Sequence, residues 1–121
     1  MINILWVFLG GGIGSILRYL IGLQFSKSTL ALPIATLFAN LISCFIFAIS
    51  IWAFNTKLQA NANLKLFLVT GICGGLSTFS TFSYETFELL KQQNYLWASA
   101  NILISVVLCV LIFYIFIGKL S

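Results

Sequence analysis

The chain has 121 residues, of which 61% are hydrophobic and 7% charged, and its mean hydropathy is +1.12. A soluble domain carries about 25% charged residues, so this composition excludes a water-soluble protein and indicates a single membrane domain, residues 1–121. Six Lys and Arg against two acidic residues give a net charge of +4. Because the basic residues are scattered and form no patch, a nucleic-acid partner is excluded and lipid is expected.

The three cysteines, Cys44, Cys73 and Cys109, all lie in apolar stretches, and His is absent. An odd count without metal-ligand spacing predicts neither a disulfide framework nor a zinc site. We expect the cysteines to be small core residues. No Lys or Arg precedes the first apolar stretch, and no cleavage site follows it. We therefore expect a retained membrane helix and not a signal peptide.

The first predicted helix covers about residues 3–23 and carries a patch of small residues. Gly10 and Gly14 are four residues apart, a spacing that lets another helix approach closely in a membrane. A dinucleotide-binding loop is excluded because no strand precedes the glycines and the third glycine of that motif is missing. Arg18 lies before the C-terminal end of this helix, still within the membrane. A cation there must extend to the interface, find a partner or line a water-filled cavity.

The second predicted helix covers about residues 32–54, with Pro33 in its first turn, where the missing N–H costs little. Thr36, Asn40 and Ser43 share one face of it. A carboxamide in the middle of a span needs partners. The sequence leaves open whether Asn40 bonds across a helix interface or lines a hydrated path.

The third predicted helix covers about residues 64–90, roughly 40 Å if unbroken, which is too long for a simple crossing. A glycine pair, Gly74-Gly75, precedes a hydroxyl-rich stretch there, and we predict a break at about residues 74–78. Non-helical backbone at membrane depth is tolerated only where it is buried in protein or lies beside water. The exposed backbone groups of broken helices bind ions in transporters.

The fourth predicted helix covers about residues 95–117 and carries Asn101, Ser105 and Cys109 on one face. Four spans would place three Lys or Arg on each side of the membrane. Orientation normally follows an excess of these residues in cytoplasmic loops, so an equal share favours insertion in both orientations. The polar faces of the last three helices need cover, which favours a homodimer.

Phe79 and Phe82 are three residues apart and share a face of the half-helix beyond the break. Ordinary packing is one interpretation. The other is an anion path, because aromatic ring edges are positive and the neighbouring Ser80, Thr81 and Asn40 can donate hydrogen bonds. Such a lining would suit a small anion that is a strong hydrogen-bond acceptor.

Glu85 lies on the same half-helix. Its distance from the C-terminal end of that helix is about the same as the distance of Arg18 from the C-terminal end of the first helix. Both ends fall on the same side of the membrane. The sequence therefore predicts an Arg18–Glu85 ion pair.

Three segments resemble the Fluc (CrcB) fluoride channels: GGIGSILRY at 11–19, TLFAN at 36–40 and GICGGLSTFSTFSYE at 71–85. The resemblance covers essentially the whole chain in order. Ser15 and Ser77 stand where that family more often has Ala and Thr. Ser43 stands where Gly is common, so close packing there is less expected.

The resemblance implies an all-α membrane fold of four transmembrane helices with the third helix broken, assembled as an antiparallel, dual-topology homodimer in the cell (inner) membrane. It also implies a structural sodium ion bound by the backbone carbonyls of Gly74 and Ser77. The implied fluoride path consists of Asn40, Phe79, Ser80, Thr81, Phe82, Asn101 and Ser105. The implied function is a passive, fluoride-selective channel that exports cytoplasmic fluoride and lowers its toxicity, without enzymatic activity.

Two alternatives remain. A small multidrug-type, proton-coupled exporter also has four short helices, but it needs a membrane-embedded carboxylate on its first helix, and none is present in residues 3–23. A purely structural subunit of a larger complex would explain the glycines but would leave the Thr-Phe-Ser repeat at 78–83 without a use.

Overall fold

The computed structural model describes residues 2–26, 33–56 and 62–118. Every regular element in these ranges is helical: α1 (Ile2–Phe25), α2 (Ile34–Thr56), α3 (Ala62–Lys65), a π-helical segment (Leu66–Cys73), α4 (Gly74–Leu76), α5 (Phe79–Lys91) and α6 (Tyr95–Ile117). Four described stretches are long and apolar enough to cross a membrane: Ile2–Phe25, Ile34–Ala53, Ala62–Lys91 and Tyr95–Ile117. The predicted all-helical, four-span architecture of a multi-pass membrane protein is confirmed. Lys27, Lys57 and Lys119, three of the six Lys and Arg counted for the two sides of the membrane, lie outside the described residues, as do residues 28–32 and 58–61 between the predicted helices.

The interior of the bundle is built mainly from small side chains. Ala39, Ala48 and Ala98 are at most 1% exposed, as is Leu76. Large apolar side chains lie on the outside, where Leu96 is 77% exposed. Lipid tails are as apolar as these side chains, so helix association in a membrane depends on close packing of small residues.

Glycines bring α1 into backbone contact with the third span. A Cβ atom on Gly10 would overlap the carbonyl oxygen of Phe67, and one on Gly14 would overlap that of Ile72. From the opposite side, a Cβ on Gly71 would lie 2.7 Å from Gly10 Cα. The close packing predicted for the first helix is therefore present, and its partner is the third span.

The segment that α1 packs against, Leu66–Cys73, is π-helical, a feature that the residue pattern does not predict. A π-helix closes its hydrogen bonds over five residues and is rare, usually a single turn, often near functional sites. A π-helical turn holds more residues than an α-helical turn. After eight π-helical residues the following segment is therefore rotated about the helix axis, relative to its position after eight α-helical residues. The direction in which the break faces therefore differs from the one that α-helical spacing gives.

The third span breaks at Ser77 and Thr78, which have extended backbone with ψ angles of 153° and 119°. This confirms the predicted break and places it at the C-terminal edge of residues 74–78. Thr78 is the N-cap of α5, and its Oγ1 accepts a hydrogen bond from Thr81 N at 3.2 Å. Threonine is among the residues that favour this position, because the hydroxyl oxygen satisfies a free N–H of the first turn.

The helices α2 and α6 run in the same direction. Leu37 and Asn101 line one small cavity near the helix starts, and Phe47 packs edge-on against Phe113 with ring centroids 5.3 Å apart nearer the helix ends. This parallel register brings the polar faces of the two helices together beside the break.

We expect Gly14→Ala to destabilise the protein, because the added Cβ would overlap the backbone carbonyl of Ile72. A neighbouring side chain could rotate away from the new Cβ, but a backbone carbonyl inside the third span cannot. Overpacking of this kind costs about 1–3 kcal/mol. The measurement is the free energy of unfolding in mixed micelles during SDS titration. Gly12→Ala is the matched control, since a Cβ there meets nothing within 4 Å; equal losses in both variants would contradict the glycine packing.

Candidate functional site

The break in the third span is held by the side chain of Asn40 on α2. Thr78 N–H donates to Asn40 Oδ1 at 2.9 Å, and Asn40 Nδ2 donates to Thr78 O over a longer distance of 3.5 Å. One carboxamide therefore satisfies both backbone groups of a residue that has left the helix. This is the helix-interface alternative for Asn40, although the same residue also borders a cavity, as described below.

Ser43, one turn further along α2, holds the residue at which the π-helical segment ends. Its Oγ donates to Cys73 O at 3.0 Å, and Cys73 Sγ donates to Ser43 O at 3.4 Å. Ser77 also donates to Cys73 O, through its N–H at 3.0 Å and its Oγ at 2.8 Å. With three donors on one oxygen, the last turn before the break is tied both to α2 and to itself.

Two carbonyl oxygens lose their helical donors at the break. In an unbroken α-helix, Thr78 N–H would donate to Gly74 O and Thr81 N–H to Ser77 O. Thr78 N–H donates to Asn40 Oδ1 instead, and Thr81 N–H donates to Thr78 Oγ1. The two released oxygens belong to the residues for which a cation is expected, so the donor set fits a hard cation that binds oxygen.

A cavity of about 350 Å³ opens beside the break, between α2, α5 and α6, and we call it the phenylalanine cavity. Its lining residues are Asn40, Cys44, Ser77, Thr78, Phe79, Phe82, Ser105, Val106, Cys109 and Val110. The rings of Phe79 and Phe82 have centroids 5.9 Å apart, and Phe79 is 80% exposed in the single chain. The wall therefore offers rings, hydroxyls and one amide, and no charged side chain is among these lining residues.

A second cavity of about 420 Å³ shares Thr78 with the first, and we call it the arginine cavity. Its lining residues are Ser15, Arg18, Tyr19, Gly22, Leu23, Ala35, Thr36, Thr78 and Thr81. Arg18 is the charged residue of this lining, and its Nε donates to Gly75 O at 3.1 Å. The peptide of Thr78, with its side-chain cap, thus lies between a cavity with a cation and a cavity with aromatic rings.

The predicted Arg18–Glu85 ion pair is wrong within one chain: both residues are described, and they do not pair. Arg18 donates to Gly75 O, while Glu85 Oε1 is buried without a hydrogen-bond partner. The glycine packing is the cause, since a Cβ on Gly75 would lie 3.0 Å from Ser15 N, one turn before Arg18. The carbonyl of Gly75 is therefore within reach, whereas α5 has been turned by the π-helical segment and the break.

A buried string of polar side chains links α6 to α5. Ser105 Oγ donates to Asn101 Oδ1 at 3.4 Å, and Asn101 Nδ2 donates to Thr86 Oγ1 at 2.9 Å. Thr86 Oγ1 in turn donates to Phe82 O at 2.9 Å. The string holds the backbone of α5 at Phe82 against the polar face of α6.

The residues predicted to line a fluoride path are distributed over three locations. The phenylalanine cavity is lined by four of them, Asn40, Phe79, Phe82 and Ser105. Thr81 lines the arginine cavity, and Ser80 and Asn101 line neither of the two. Ser80 is exposed, with its Oγ 3.4 Å from Thr78 Oγ1, and Asn101 lies behind Ser105 in the polar string.

Comparison with known proteins identifies the family. Residues 5–118 match the family model described as "CrcB-like protein, Camphor Resistance (CrcB)". The chain belongs to the CrcB family. Three similar relatives are named fluoride-specific ion channels. FluC 1 of Yersinia pseudotuberculosis serotype I (strain IP32953) is 40% identical over 104 residues, 86% of this chain and 82% of that relative.

The other two relatives give the same picture. FluC of Serratia proteamaculans (strain 568) is 41% identical over 103 residues, 85% of this chain and 81% of that relative. FluC of Enterobacter sp. (strain 638) is 43% identical over 102 residues, 84% of this chain and 80% of that relative. The family resemblance read from the sequence is confirmed. The prediction that the chain is not an enzyme is also confirmed, because these relatives are named as ion channels.

Three residues of this CrcB chain have a larger part in the site than their sequence pattern predicts. Thr78 caps α5 and separates the two cavities, and its position directly before a helix start is a signal that could have identified it. Ser43 anchors Cys73. Thr86 joins α5 to Asn101, and no local spacing indicates this contact, since the two residues meet only after the chain has turned back.

We expect Asn40→Ala to lower the stability of the fold, since Thr78 N–H and C=O would both lose their partner. A buried polar group left without a partner costs about 1–3 kcal/mol. The measurement is the thermal unfolding midpoint of the purified protein in detergent. Ser50→Ala on the same helix is the matched control, because Ser50 Oγ donates within α2 itself, to Ile46 O. A midpoint for Asn40→Ala equal to that of the control would refute the role of Asn40 as the support of the break.

Proposed function

We propose that this CrcB chain forms a passive, fluoride-selective anion channel in the cell (inner) membrane, through which cytoplasmic fluoride leaves and becomes less toxic. The observation that carries the proposal is the lining of the two cavities that meet at Thr78. Rings, hydroxyls, an amide and one arginine line them, and no carboxylate is among these residues. The names of the relatives support fluoride as the anion.

An anion that enters the phenylalanine cavity must exchange its water for protein donors. Asn40 has two amide hydrogens, of which one is used in the long contact with Thr78 O. Ser105 Oγ holds its acceptor at 3.4 Å, a weak bond that can give way to a stronger acceptor. The ring edges of Phe79 and Phe82 add positive potential, so the cavity suits a small anion that accepts hydrogen bonds strongly.

The two cavities have different roles: the arginine cavity attracts the anion, and the phenylalanine cavity lets it pass. Arg18 raises the local concentration of anions in the arginine cavity, where Thr81 provides a hydroxyl. The phenylalanine cavity has no charged residue in its lining, so a large anion that needs strong Coulombic attraction gains little there. A single arginine in one cavity and neutral donors in the other favour passage over tight binding.

The driving force needs no ATP. Fluoride enters cells as neutral HF from acidic surroundings and dissociates in the more alkaline cytoplasm. Moving one charge through 100 mV is worth about 2.3 kcal/mol, so an interior-negative potential drives the anion outward through a passive path.

We further propose an antiparallel, dual-topology homodimer. The face of α5 that carries Phe79, Ser80, Ser83 and Tyr84 is exposed in the single chain, although it belongs to a membrane span. Gly74 is also exposed, and a Cβ there would meet nothing within 4 Å. A second copy would cover these hydroxyls and this backbone, and the equal share of Lys and Arg on the two sides permits it to insert in the opposite direction.

The site of a structural sodium ion would lie at the same surface. Gly74 O and Ser77 O would hold it, because side chains have taken the N–H donors of both. A hard cation of this kind takes several oxygen ligands, so the same two oxygens from a second copy would enlarge the set. When bound, the ion would balance the carbonyl dipoles at the break.

The proton-coupled exporter is not supported. α1 contains no Asp or Glu, and neither Glu85 nor Glu88 is among the residues that line the two cavities. A proton carrier of that class needs a carboxylate that the substrate cavity reaches.

The proposed function is tested by loading liposomes that contain the purified protein with fluoride or chloride and recording anion release with ion-selective electrodes. We expect fast release of fluoride and retention of chloride. Empty liposomes are the control. Well-folded protein that releases no fluoride, or that passes chloride equally, would refute the channel.

In the same assay we expect Phe79→Ile and Phe82→Ile to slow fluoride release about tenfold or more while the dimer stays intact. Isoleucine is apolar but has no positive ring edge, and losing about 1.4 kcal/mol of stabilisation is a factor of ten in rate. Phe87→Ile is the matched control, because Phe87 lies on α5 but is not among the residues lining either cavity. An equal effect at all three positions would show that the rings of the cavity have no special part.

We expect preparation of the protein without sodium, with N-methylglucamine in every buffer from extraction onward, to lower both the dimer fraction and fluoride release. The reason is that Gly74 O and Ser77 O would face each other across the dimer without a cation between them. The dimer fraction is measured by glutaraldehyde cross-linking, and re-addition of NaCl should restore both quantities. Unchanged dimer and release in sodium-free buffer would count against the ion.

A further inference from the structure

Two cysteines meet in the wall of the phenylalanine cavity, and the proposed function does not use them. Cys44 on α2 and Cys109 on α6 both line it. The two thiols are close enough to interact with each other. Both cysteines are free. The helices α2 and α6 run in the same direction, with Phe47 edge-on against Phe113, and this arrangement brings both cysteines to one cavity wall.

We propose that Cys44 and Cys109 form a two-thiolate binding site for a soft metal cation, and that its occupation slows fluoride release. The part of the proposal that concerns fluoride rests on the proposed function. Thiolate sulfur selects soft, thiophilic metals over hard ones such as sodium or magnesium. The probe is Hg²⁺, supplied as HgCl₂.

The number of ligands decides the class of metal. Among the described residues, no group of three or more His, Cys, Asp or Glu side chains could hold an ion together. A structural zinc site needs four such ligands, so zinc is excluded here. Soft ions such as Hg²⁺, Ag⁺ and Cu⁺ are satisfied by two sulfur ligands in a nearly linear arrangement, and one pair of thiols is sufficient for them.

The binding step needs no oxidant. Each thiol loses its proton to water as its sulfur binds the metal, since the thiolate is the ligand. Two sulfur–mercury bonds form, two mercury–chlorine bonds break, and two protons and two chloride ions leave. HgCl₂ is neutral, so it enters an apolar cavity without the energetic cost of moving a charge into it.

The location of the pair explains why occupation would affect the anion. Cys44 lies one helical turn beyond Asn40 on α2, and Cys109 lies one turn beyond Ser105 on α6, so the metal would lie directly beside two of the donors. A bridge between the sulfur atoms would also fix α2 to α6 at that level. The cavity would lose volume and its walls would lose the freedom to adjust to a passing ion.

Cys73 provides an internal control. It is 3% exposed, its Sγ donates to Ser43 O, and it is not among the residues that line the cavity. A reagent that enters the cavity should therefore leave Cys73 untouched.

The binding test uses the full-length protein in detergent, treated with excess HgCl₂, desalted and then challenged with increasing N-acetylcysteine. Mercury per chain is measured by elemental mass spectrometry. We expect one retained mercury per chain in the unaltered protein and in Cys73→Ser. Cys44→Ser and Cys109→Ser should lose theirs at a competitor concentration lower by about tenfold or more, because the second bond of a bridge forms at high effective concentration.

Two results would overturn the site. One is retention of mercury by Cys44→Ser and Cys109→Ser as firm as in the unaltered protein, which means modification of separate thiols. The other is loss of mercury in Cys73→Ser, which means a different pair. Alanine variants at positions 44 and 109 replace the serine variants if the latter do not fold.

The flux test repeats fluoride release from liposomes before and after HgCl₂, each variant being compared with its own untreated rate. We expect release by the unaltered protein and by Cys73→Ser to fall at least fivefold and to recover with dithiothreitol, and release by Cys44→Ser and Cys109→Ser to change less than twofold. An unchanged rate with one mercury bound per chain would overturn the effect on the path. If the untreated protein releases no fluoride, the proposed function fails, and the mercury count alone still decides the metal site.

Discussion

A helix that breaks in the middle of a membrane must find new partners for its free backbone groups inside the protein, because lipid offers none. In this chain Asn40 meets that demand at Thr78, and most of the site depends on the contact. By accepting from Thr78 N–H, Asn40 releases Gly74 O. The extended residue then becomes the cap of α5 and releases Ser77 O in the same way. One carboxamide therefore determines where α5 begins, which carbonyls are free and where the two cavities meet.

The break could not be placed so close to α1 without glycine. Gly10 and Gly14 on one side and Gly71 and Gly75 on the other leave no room for a Cβ atom. Small residues are the main means by which membrane helices approach each other, since burial of apolar surface gives no advantage in lipid. The same contact brings Gly75 O to Arg18, so the packing that stabilises the bundle also positions the cation of the arginine cavity.

Several polar residues of this protein are buried inside the bundle. Four of them are each less than 10% exposed: Ser43, Thr86, Asn101 and Ser105. Ser43 bonds to Cys73 of the third span, and the other three form the polar string between α6 and α5. Phe79, by contrast, is an apolar residue that lies exposed beside hydroxyls. Stability accounts for the first group, because unpaired polar groups are costly at membrane depth. The exposure of Phe79 fits the anion path and the second copy that we propose.

The break and the caps show how far local rules reach. The Gly-Gly pair followed by hydroxyls predicts that the third span is interrupted, and the structure confirms it at Ser77 and Thr78. Polar residues four apart on α6 predict a polar face, and Asn101 and Ser105 do bond to each other. These features depend on neighbours within one or two turns, which the amino-acid order specifies directly.

The sequence by itself thus determined the four apolar spans, the interrupted third helix, the glycine surface and the family. Tertiary structure alone decided which partners those features meet. Arg18 binds Gly75 O instead of Glu85, Asn40 supports the break as well as bordering a cavity, and Cys44 lies beside Cys109. Cys44 and Cys109 meet because α2 and α6 run in the same direction and line the same cavity. For the contacts of the third span the physical reason is rotation: the π-helical segment and the two extended residues turn α5 about its axis. A contact between distant elements depends on that accumulated angle, which no local spacing records.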